Sequence, residues 1–252
     1  MQGDNRPRTG ALGTSGTTSQ LVSVITVVFQ ARDELEAIAR NIQPFRGPRL
    51  EFIVVDGGSS DGTADFLVQH PELVDAWISE RDSGVYDAMN KGLRIARGTY
   101  VLHLNAGDRL RNIPWAKLET YAGERIDVVS GRVLVDGWEE FLPRTTFTSR
   151  IDNTWHHQAT FYRRVAHLGY DDSYQICGDF DHNQRLLKAG CSIRLISEII
   201  ADHRNDGLSM EKNARREIYR SIRRHFGSLY LIPAAIRFQL APLWLWYKHR
   251  RT

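Results

Sequence analysis

Apolar residues near the start of the chain occur in two short continuous runs, separated by a stretch with helical spacing. The runs are LVSVITVVF, residues 21–29, and FIVV, residues 52–55. Continuous apolar runs rich in β-branched residues are typical of parallel strands buried on both faces. Between the runs, the apolar residues of one helical face are Leu35, Ile38, Ala39 and Ile42. The pattern therefore predicts a strand, a helix and a strand, the start of an α/β fold with a Rossmann-like, mostly parallel central sheet flanked by helices.

Acidic residues follow the predicted strands. Asp56 comes directly after the second run, and Asp108 follows a further strand predicted from Gly98 to Leu104. Ligands of open α/β sheets bind beyond the carboxyl ends of the strands, so we expect both acids at one ligand-binding edge. Residues 57–62, just after Asp56, are rich in Gly and Ser, which lets the backbone approach a ligand closely. Later in the chain, Asp136-Gly137 predicts the turn of a β-hairpin.

Length and composition favour one globular domain with two tails. The chain has 252 residues, of which 42% are hydrophobic and 25% charged, which excludes a largely disordered chain and a multi-span membrane protein. We expect the domain to occupy residues 21–212. Cys177 and Cys191 are too few for a disulfide framework and lack metal-ligand spacing, so we expect buried thiols in a reducing compartment.

Both ends of the chain differ from this central part. Residues 1–20 are rich in Gly, Ser and Thr and lack the apolar core of a secretory signal, so a disordered tail is predicted. Residues 213–252 are basic and aromatic, and a helix is predicted from Arg215 to His225. Pro233 and Pro242 interrupt the apolar part of this tail, which excludes a bilayer span. The tail either lies in the interface of an anionic membrane or packs on the domain or on the second subunit of a homodimer.

Five motifs follow one another along the chain. They are VVDGGSSDGT (residues 54–63), SERDSGVYDAMNKGLRIARG (79–98), LNAGD (104–108), HHQATFY (156–162) and GDFDHNQRLL (178–187). In content and order they resemble the inverting glycosyltransferases of family 2, which have the GT-A fold and use sugar nucleotides as donors. The resemblance extends over residues 22–210, and the following assignments are what it implies.

The first motif implies a binding site for the nucleotide base. In the family, the acid that matches Asp56 accepts a hydrogen bond from the base, and the positions of Thr26 and Val28 lie beside it. A cap of the following turn is the structural alternative for Asp56.

The second motif implies a site for the rest of the donor at the start of a helix. Amides at the helix start and the cation of Lys91 would offset the diphosphate charge, while Asp82 would hydrogen-bond the donor beside Arg81. The helix macrodipole alone would also favour an acid at Asp82.

The third motif stands in the place of the family's acidic metal motif. Asn105 replaces the first acid, so Asp108 is expected to be the main protein ligand of Mn²⁺ or Mg²⁺, with Asn105 contributing an uncharged oxygen to the donor site. His203, in the segment of residues 201–210, would ligate the metal or bind a phosphate. A plain loop is the alternative for that segment.

The last two motifs imply the acceptor side of the site. His157 and Gln158 match a His-Gln pair that lies near the acceptor in the family. Asp179 matches the catalytic base, which takes the proton of the acceptor hydroxyl, and Asp181 is placed on the acceptor side as support for the helix start. A helix cap is the structural alternative for either acid.

The resemblance as a whole implies a hexosyltransferase acting on a nucleotide-sugar donor, with a preference for uridine. The acceptor would be a saccharide or lipid-linked molecule of the bacterial cell envelope, and the enzyme would be cytoplasmic and peripheral on the inner face of the plasma membrane. A nucleotide-sugar-binding domain without catalysis is the alternative that Asn105 favours. The basic tail suggests nucleic-acid binding as another alternative, but no nucleic-acid motif accompanies the charge, so no nucleic-acid partner is expected.

Overall fold

The structure, a computed structural model, describes residues 8–11, 20–204 and 212–239. Within these residues the strands, in chain order, are β1 (Arg8–Ala11), β2 (Val22–Val28), β3 (Leu50–Asp56), β4 (Ala76–Ser79), β5 (Tyr100–His103), β6 (Arg109–Leu110), β7 (Val128–Val135), β8 (Glu139–Phe141), β9 (Thr160–Arg163) and β10 (Ile193–His203). The α-helices are α1 (Arg32–Ile42), α2 (Thr63–Gln69), α3 (Val85–Ile95), α4 (Trp115–Gly123), α5 (Gly178–Lys188) and α6 (Lys212–Phe226). Residues 231–239 are also helical.

All of these strands belong to one mixed sheet. Their order is β1-β4-β3-β2-β5-β9-β7-β10-β6, and β8 pairs with β7. β4, β3, β2 and β5 run parallel, whereas β9 is antiparallel to both of its neighbours. The register pairs Val28 with Asp56 and Asp56 with Ser79. The carboxyl ends of β2, β3 and β4 therefore meet at one edge of the sheet, as the sequence predicts.

The two central strands carry the core. β2 and β3 are buried over all seven of their residues, which confirms the prediction of strands covered on both faces. Side chains alternate between the faces, so Val24 and Phe52 pack on the side of α1, whereas Val27 and Val55 pack with α3. The predicted hairpin is also present, since β7 and β8 pair antiparallel around Asp136-Gly137.

The amino-terminal tail differs from the prediction in one segment. Residues 8–11 form β1, which pairs antiparallel with β4, so disorder was the wrong expectation there. The physical reason is the edge of β4, whose backbone groups gain partners from β1. Gly10 allows the approach, because a Cβ at this position would lie 2.2 Å from Nε1 of Trp77. The other residues of the predicted tail, 1–7 and 12–19, lie outside the described part of the chain.

The first part of the carboxyl-terminal tail is helical, as predicted, and packs on the domain. Ala214 and Ile222 of α6 join a core cluster with Phe180 of α5. The Glu217 carboxylate accepts three hydrogen bonds, of 2.8–3.0 Å, from the backbone N–H groups of residues 175–177. Residue 212, the predicted end of the domain, is therefore the start of a helix that packs as part of the domain. Residues 240–252 of the predicted tail lie outside the described residues, and within the described ranges no helix has the length and apolarity of a membrane span.

Candidate active site

A cavity of about 440 Å³ lies between α3, α5 and α6, at the ends of β5 and β10. Its polar lining consists of Asn105, Asn153, His156, His157, Gln158, Gln175, Asp179, His203 and Asn213. Five residues that the sequence singles out, from four separate segments, thus meet around one space. Tyr86 and Met89 form part of its apolar wall and are otherwise buried.

Asp108 lies next to His203, which lines the cavity. The antiparallel pairing of β6 with β10 places Arg109 opposite Asp202, which brings the preceding Asp108 next to the following His203. Oδ1 of Asp108 is 2.9 Å from Nδ1 of His203, and Gln158 Nε2 is 2.9 Å from the same nitrogen. The other carboxylate oxygen of Asp108 accepts a hydrogen bond from the Asn105 backbone N–H. Both predicted metal ligands are therefore in contact.

These two side chains form an incomplete donor set for a metal ion. A carboxylate oxygen and an imidazole nitrogen are ligands that Mn²⁺ accepts, and an ion with two protein ligands keeps positions for diphosphate oxygens and water. Among the described residues, no group of three or more His, Cys, Asp or Glu side chains is arranged to hold a metal. Asp108 and His203 therefore fit a metal that is shared with the donor rather than one enclosed by the protein.

Asp179 also lines the cavity and is held by two side chains. Asn153 Nδ2 donates a hydrogen bond of 2.9 Å to Oδ2 of Asp179, and His157 Nδ1 is 3.3 Å from the same oxygen. His157 Nε2 in turn lies 3.3 Å from Asn105 Nδ2. Since an amide NH₂ can only donate, a neutral imidazole with its proton on Nδ1 satisfies both contacts.

The environment of Asp179 favours its ionised form. Burial acts to raise the pKa of the Asp179 carboxyl, but hydrogen bonds from the His157 ring and from the Phe180 backbone N–H favour the ionised form, and the net effect lowers the pKa below its usual value. Neighbouring His156 is neutral at physiological pH, because burial lowers its pKa to about 4. Asp179 is therefore a carboxylate at neutral pH.

The start of α5 contacts α3 as well as Glu217 of α6. The N-cap residue is Cys177, which makes no side-chain cap bond, so Asp179 and Asp181 do not occupy the cap position considered for them. Tyr86 of α3 donates a hydrogen bond of 2.6 Å to the Ile176 carbonyl, and a Cβ on Gly178 would lie 2.7 Å from the Tyr86 ring. Glycine at position 178 therefore permits the close approach of α3 to the turn that presents Asp179.

Asp181 does not lie on the acceptor side, in contrast to the prediction. Its side chain is fully buried and contacts Arg185 at 3.0 Å and His225 at 2.9 Å. Ser221 donates a further hydrogen bond of 3.1 Å. The physical reason is helical geometry, because Asp179 and Asp181 point to different sides of α5. Asp181 joins α5 to α6.

Three predicted base-binding residues are buried in the sheet. Thr26 donates its hydroxyl proton to the Leu104 carbonyl at 2.6 Å, and Val28 is 5% exposed. The Asp56 carboxylate is fully buried and accepts hydrogen bonds from the hydroxyls of Ser59 and Ser79, at 2.5 and 2.6 Å. The turn-capping alternative thus describes Asp56, and the prediction that these side chains contact a base does not match their placement.

The second motif places Asp82 and Lys91 differently. Asp82 is only partly buried and accepts a hydrogen bond from Gly84 N–H at the start of α3, while burial raises its pKa. Lys91 is buried, 2.9 Å from a Glu80 carboxylate oxygen and 2.6 Å from the Arg81 carbonyl. Its charge is therefore already balanced within the protein, which argues against the predicted diphosphate contact. The Arg81 side chain is exposed.

Asn153 lines the cavity although the sequence did not single it out, and Phe29, which was not singled out either, lies close to Gly57 at the sheet edge. Phe29 is 61% exposed at the carboxyl end of β2. A Cβ on Gly57 would lie 2.6 Å from Asp82 Oδ2 and 3.2 Å from the Phe29 ring, so a glycine separates these two groups. An aromatic residue at the end of a buried strand was the available signal for Phe29. No local pattern distinguishes Asn153.

Comparison with known proteins agrees with this geometry. The model of Glycosyl transferase family 2 matches residues 23–180. A PGL/p-HBAD biosynthesis glycosyltransferase of Mycobacterium bovis is 34% identical over 174 residues, which are 63% of this chain and 66% of that protein. The alignment thus spans slightly less than two thirds of the relative's length.

Two solved structures share the fold at low sequence identity. Staphylococcus aureus TarS 1-349 in complex with UDP-GlcNAc superposes with a TM-score of 0.64 at 14% identity, over 81% of this chain and 65% of TarS 1-349. The mannosyltransferase PcManGT from Pyrobaculum calidifontis, in complex with GDP-Man and Mn²⁺, has a TM-score of 0.53 at 19% identity, over 74% of this chain and 57% of PcManGT. With a GT-A-type sheet and a family model that matches more than half of its length, the chain belongs to glycosyl transferase family 2.

Proposed function

We propose that the protein transfers a hexosyl group, with inversion, from a UDP-sugar to a saccharide or lipid-linked acceptor of the cell envelope. The observation that carries this proposal is the position of the Asp179 carboxylate. It lines the same cavity as Asn105 and His203, and His157 lies between Asn105 and Asp179. This arrangement supports a reaction in which Asp179 serves the acceptor while residues of the same cavity hold the leaving diphosphate.

Asp179 acts as the general base in this reaction. The acceptor hydroxyl attacks the anomeric carbon on the face opposite the nucleotide, and its proton passes to the carboxylate as the new C–O bond forms. The bond between the anomeric carbon and the diphosphate oxygen breaks, and the nucleoside diphosphate leaves with that electron pair. Because Asp179 is ionised at neutral pH, it is ready to accept the proton.

The donor would lie along the edge formed by the ends of β2, β3 and β4. The exposed Phe29 ring offers a face for the base, and Gly57 leaves room between that ring and Asp82. The exposed Arg81 can pair with the diphosphate. TarS 1-349, which shares this fold, was solved with UDP-GlcNAc, and this supports a uridine donor.

Asp108 and His203 would hold Mn²⁺ or Mg²⁺. When bound, the ion neutralises charge that develops on the leaving diphosphate. PcManGT was solved with Mn²⁺, which supports this cofactor.

We also propose a peripheral contact with the cytoplasmic face of an anionic membrane. Three apolar residues after α6, Leu229, Ile232 and Ile236, are 81%, 62% and 52% exposed. Arg223 and Arg224 of α6 are exposed as well. An apolar stripe beside cations suits the boundary between acyl chains and anionic headgroups.

Release of nucleotide from a panel of sugar nucleotides tests the proposed activity. The panel contains UDP-glucose, UDP-galactose, UDP-GlcNAc and GDP-mannose, with Mn²⁺ and with water or a short saccharide as acceptor. We expect release of UDP from at least one UDP-sugar and its loss in Asp179→Asn. Tight binding without release from any donor would instead favour a nucleotide-sugar-binding domain.

A further inference from the structure

The Asn153 side chain that contacts Asp179 is itself the end of a chain of hydrogen bonds. Asn183 Nδ2 donates to Asn153 Oδ1 at 3.2 Å, and the Tyr162 hydroxyl donates to Asn183 Oδ1 at 2.9 Å. Tyr162 and Asn183 are 1% and 3% exposed. The chain therefore runs through the interior, from β9 to α5, to the loop before β9 and then to Asp179.

Every bond in this chain points toward the carboxylate. Burial raises the pKa of Tyr162 well above its usual value, so its hydroxyl stays protonated and donates. The ionised carboxylate of Asp179 can only accept, so Asn153 presents its NH₂ group to Asp179 and accepts with Oδ1 from Asn183. Asn183 then has its own Oδ1 directed at Tyr162, whose hydroxyl donates to it. The carboxylate at one end thus sets the orientation of both amides, and the tyrosine hydroxyl supplies the donor that completes the chain.

The chain and His157 act on the same oxygen of Asp179. Asn153 and His157 both contact Oδ2, at 2.9 and 3.3 Å. Oδ1 takes part in neither contact. Asp179 and Asn183 are also four residues apart, on one face of α5, so the chain fixes the carboxylate relative to its own helix.

We propose that Tyr162, Asn183 and Asn153 are positioning residues, which hold Asp179 as an oriented carboxylate with Oδ1 turned toward the acceptor. This inference rests on the proposed role of Asp179 as the base. Hydrogen-bonded chains of this kind strengthen each donor along their length, so removal of the distant hydroxyl should weaken the bond at Asp179.

A double-mutant cycle in urea unfolding tests whether Tyr162 acts on Asp179. Tyr162→Phe removes only the hydroxyl, and Asp179→Ala removes the acceptor at the other end. We expect the drop in urea midpoint caused by Tyr162→Phe to be at most about half as large in the Asp179→Ala background, because coupled groups are not additive.

Tyr100→Phe is the matched control for this cycle. Tyr100 is also fully buried and donates its hydroxyl proton to a backbone carbonyl, that of Ile126, at 2.9 Å. The shift in urea midpoint caused by Tyr100→Phe should be the same in the parent and in Asp179→Ala. If the shift caused by Tyr162→Phe is also the same in both, the chain does not act on Asp179 and the proposal is overturned.

Kinetics separate positioning from simple packing. With the sugar nucleotide of the panel that the parent turns over fastest, Tyr162→Phe and Asn153→Ala should lower kcat by roughly tenfold, the effect of about one charge-assisted hydrogen bond. The donor KM should change little, and the acid limb of the kcat profile should move to higher pH because the ionised form loses a donor. The proposal would be overturned, even if Asp179→Asn is inactive, by an acid limb that stays at the same pH or by variants that raise the donor KM without lowering kcat. Full activity of Asp179→Asn would instead refute the proposed base, whereas the unfolding cycle would still report on the chain.

Discussion

Asp108 and His203 are 95 positions apart in the chain, yet Oδ1 of Asp108 lies 2.9 Å from Nδ1 of His203. The contact depends on the carboxyl end of β10. This strand pairs in parallel with β7 on one side and makes a short antiparallel pairing with β6 on the other. A motif in the middle of the chain and a histidine near its end are thereby joined into one potential metal site.

The first prediction concerns this pair. Asp108→Ala should lower turnover with Mn²⁺ by about 10²-fold or more, the scale for losing one group that stabilises transition-state charge, and should weaken Mn²⁺-dependent binding of UDP. Nucleotide release and calorimetric titration of UDP measure the two effects. Asp202→Ala is a suitable control, because it removes a neighbouring carboxylate that pairs with Arg111 at the surface. Full activity of the parent in excess chelator would contradict the prediction.

The second prediction compares the two acids of α5. Asp179→Asn keeps the shape of the side chain and removes its proton affinity, so turnover should fall by at least about 10²-fold with little change in donor affinity. Asp181→Asn should leave turnover of the folded protein nearly unchanged but lower the free energy of unfolding by about 1–3 kcal/mol, because buried Asp181 loses its charge between Arg185 and His225. Single-turnover kinetics and urea unfolding give the two quantities. An inactive Asp181→Asn beside an active Asp179→Asn would reverse the assignment.

The apolar pattern predicts the fold well because burial itself produces that pattern. β2, β3 and α1 lie where continuous or helical spacing places them, and Asp136-Gly137 forms a turn with φ angles of 52° and 78° that favour this pair. β1 is missed because its strand depends on the free edge of β4 rather than on its own composition.

Site residues are harder to predict, because residue type does not reveal which hydrogen-bonding atoms are already used. Thr26 and Asp56 have the right chemistry for a ligand, but Leu104, Ser59 and Ser79 occupy their polar atoms. Lys91 is matched by Glu80 in the same way. His157, Asp179 and His203 retain their place in the cavity, where residues from distant segments meet.

The third prediction concerns membrane binding. Deletion of the chain from Leu229 would remove buried Ala234 and the ion pair of Arg237 with Asp152, so loss of binding would be confounded by loss of packing. Leu229→Glu combined with Ile232→Glu changes only exposed side chains. This variant should release the protein from phosphatidylglycerol vesicles in a flotation assay, because charges enter the apolar stripe.

Val165→Glu provides the comparison for this variant, since Val165 is 76% exposed elsewhere on the surface. It should float with the vesicles as the parent does, and nucleotide release to water should be unchanged in both variants. Equal flotation of the double variant and the parent would refute the interfacial contact.

The fourth prediction is a loss of stability in mild acid, and its cause is a buried cluster of His103, His167 and His182. The rings of His167 and His182 stack with centroids 4.1 Å apart, and His103 lies 5.6 Å from His167. Tyr162 and Tyr170 complete the surroundings.

Burial, followed by the charges of neighbouring groups, lowers the pKa of each of these three histidines well below the ordinary value of 6.5. A proton on one of these histidines would be repelled by positive charge on its neighbours. For His103 these neighbours are His167 and His157, for His167 they are His182 and Arg185, and for His182 they are Arg185 and His103. The unfolded chain therefore binds more protons than the folded one below pH 6.5. Stability is complete above that pH and falls as the pH decreases, by up to about 1.4 kcal/mol per pH unit for each histidine.

Urea unfolding at pH 7.5 and 5.5 measures this effect, because carboxyl groups with lowered pKa values titrate below that window. The parent should lose stability steeply, and His182→Phe, which keeps an aromatic ring in the stack, should lose about a quarter less, because His156, whose pKa burial also lowers, adds to the three histidines of the cluster. His70→Gln is the control for loss of a histidine outside the cluster, since the His70 side chain is 40% exposed. Equal slopes for the parent and His182→Phe would mean that the cluster does not govern the acid response, and protons would then have to be taken up elsewhere, at groups that become accessible only on unfolding.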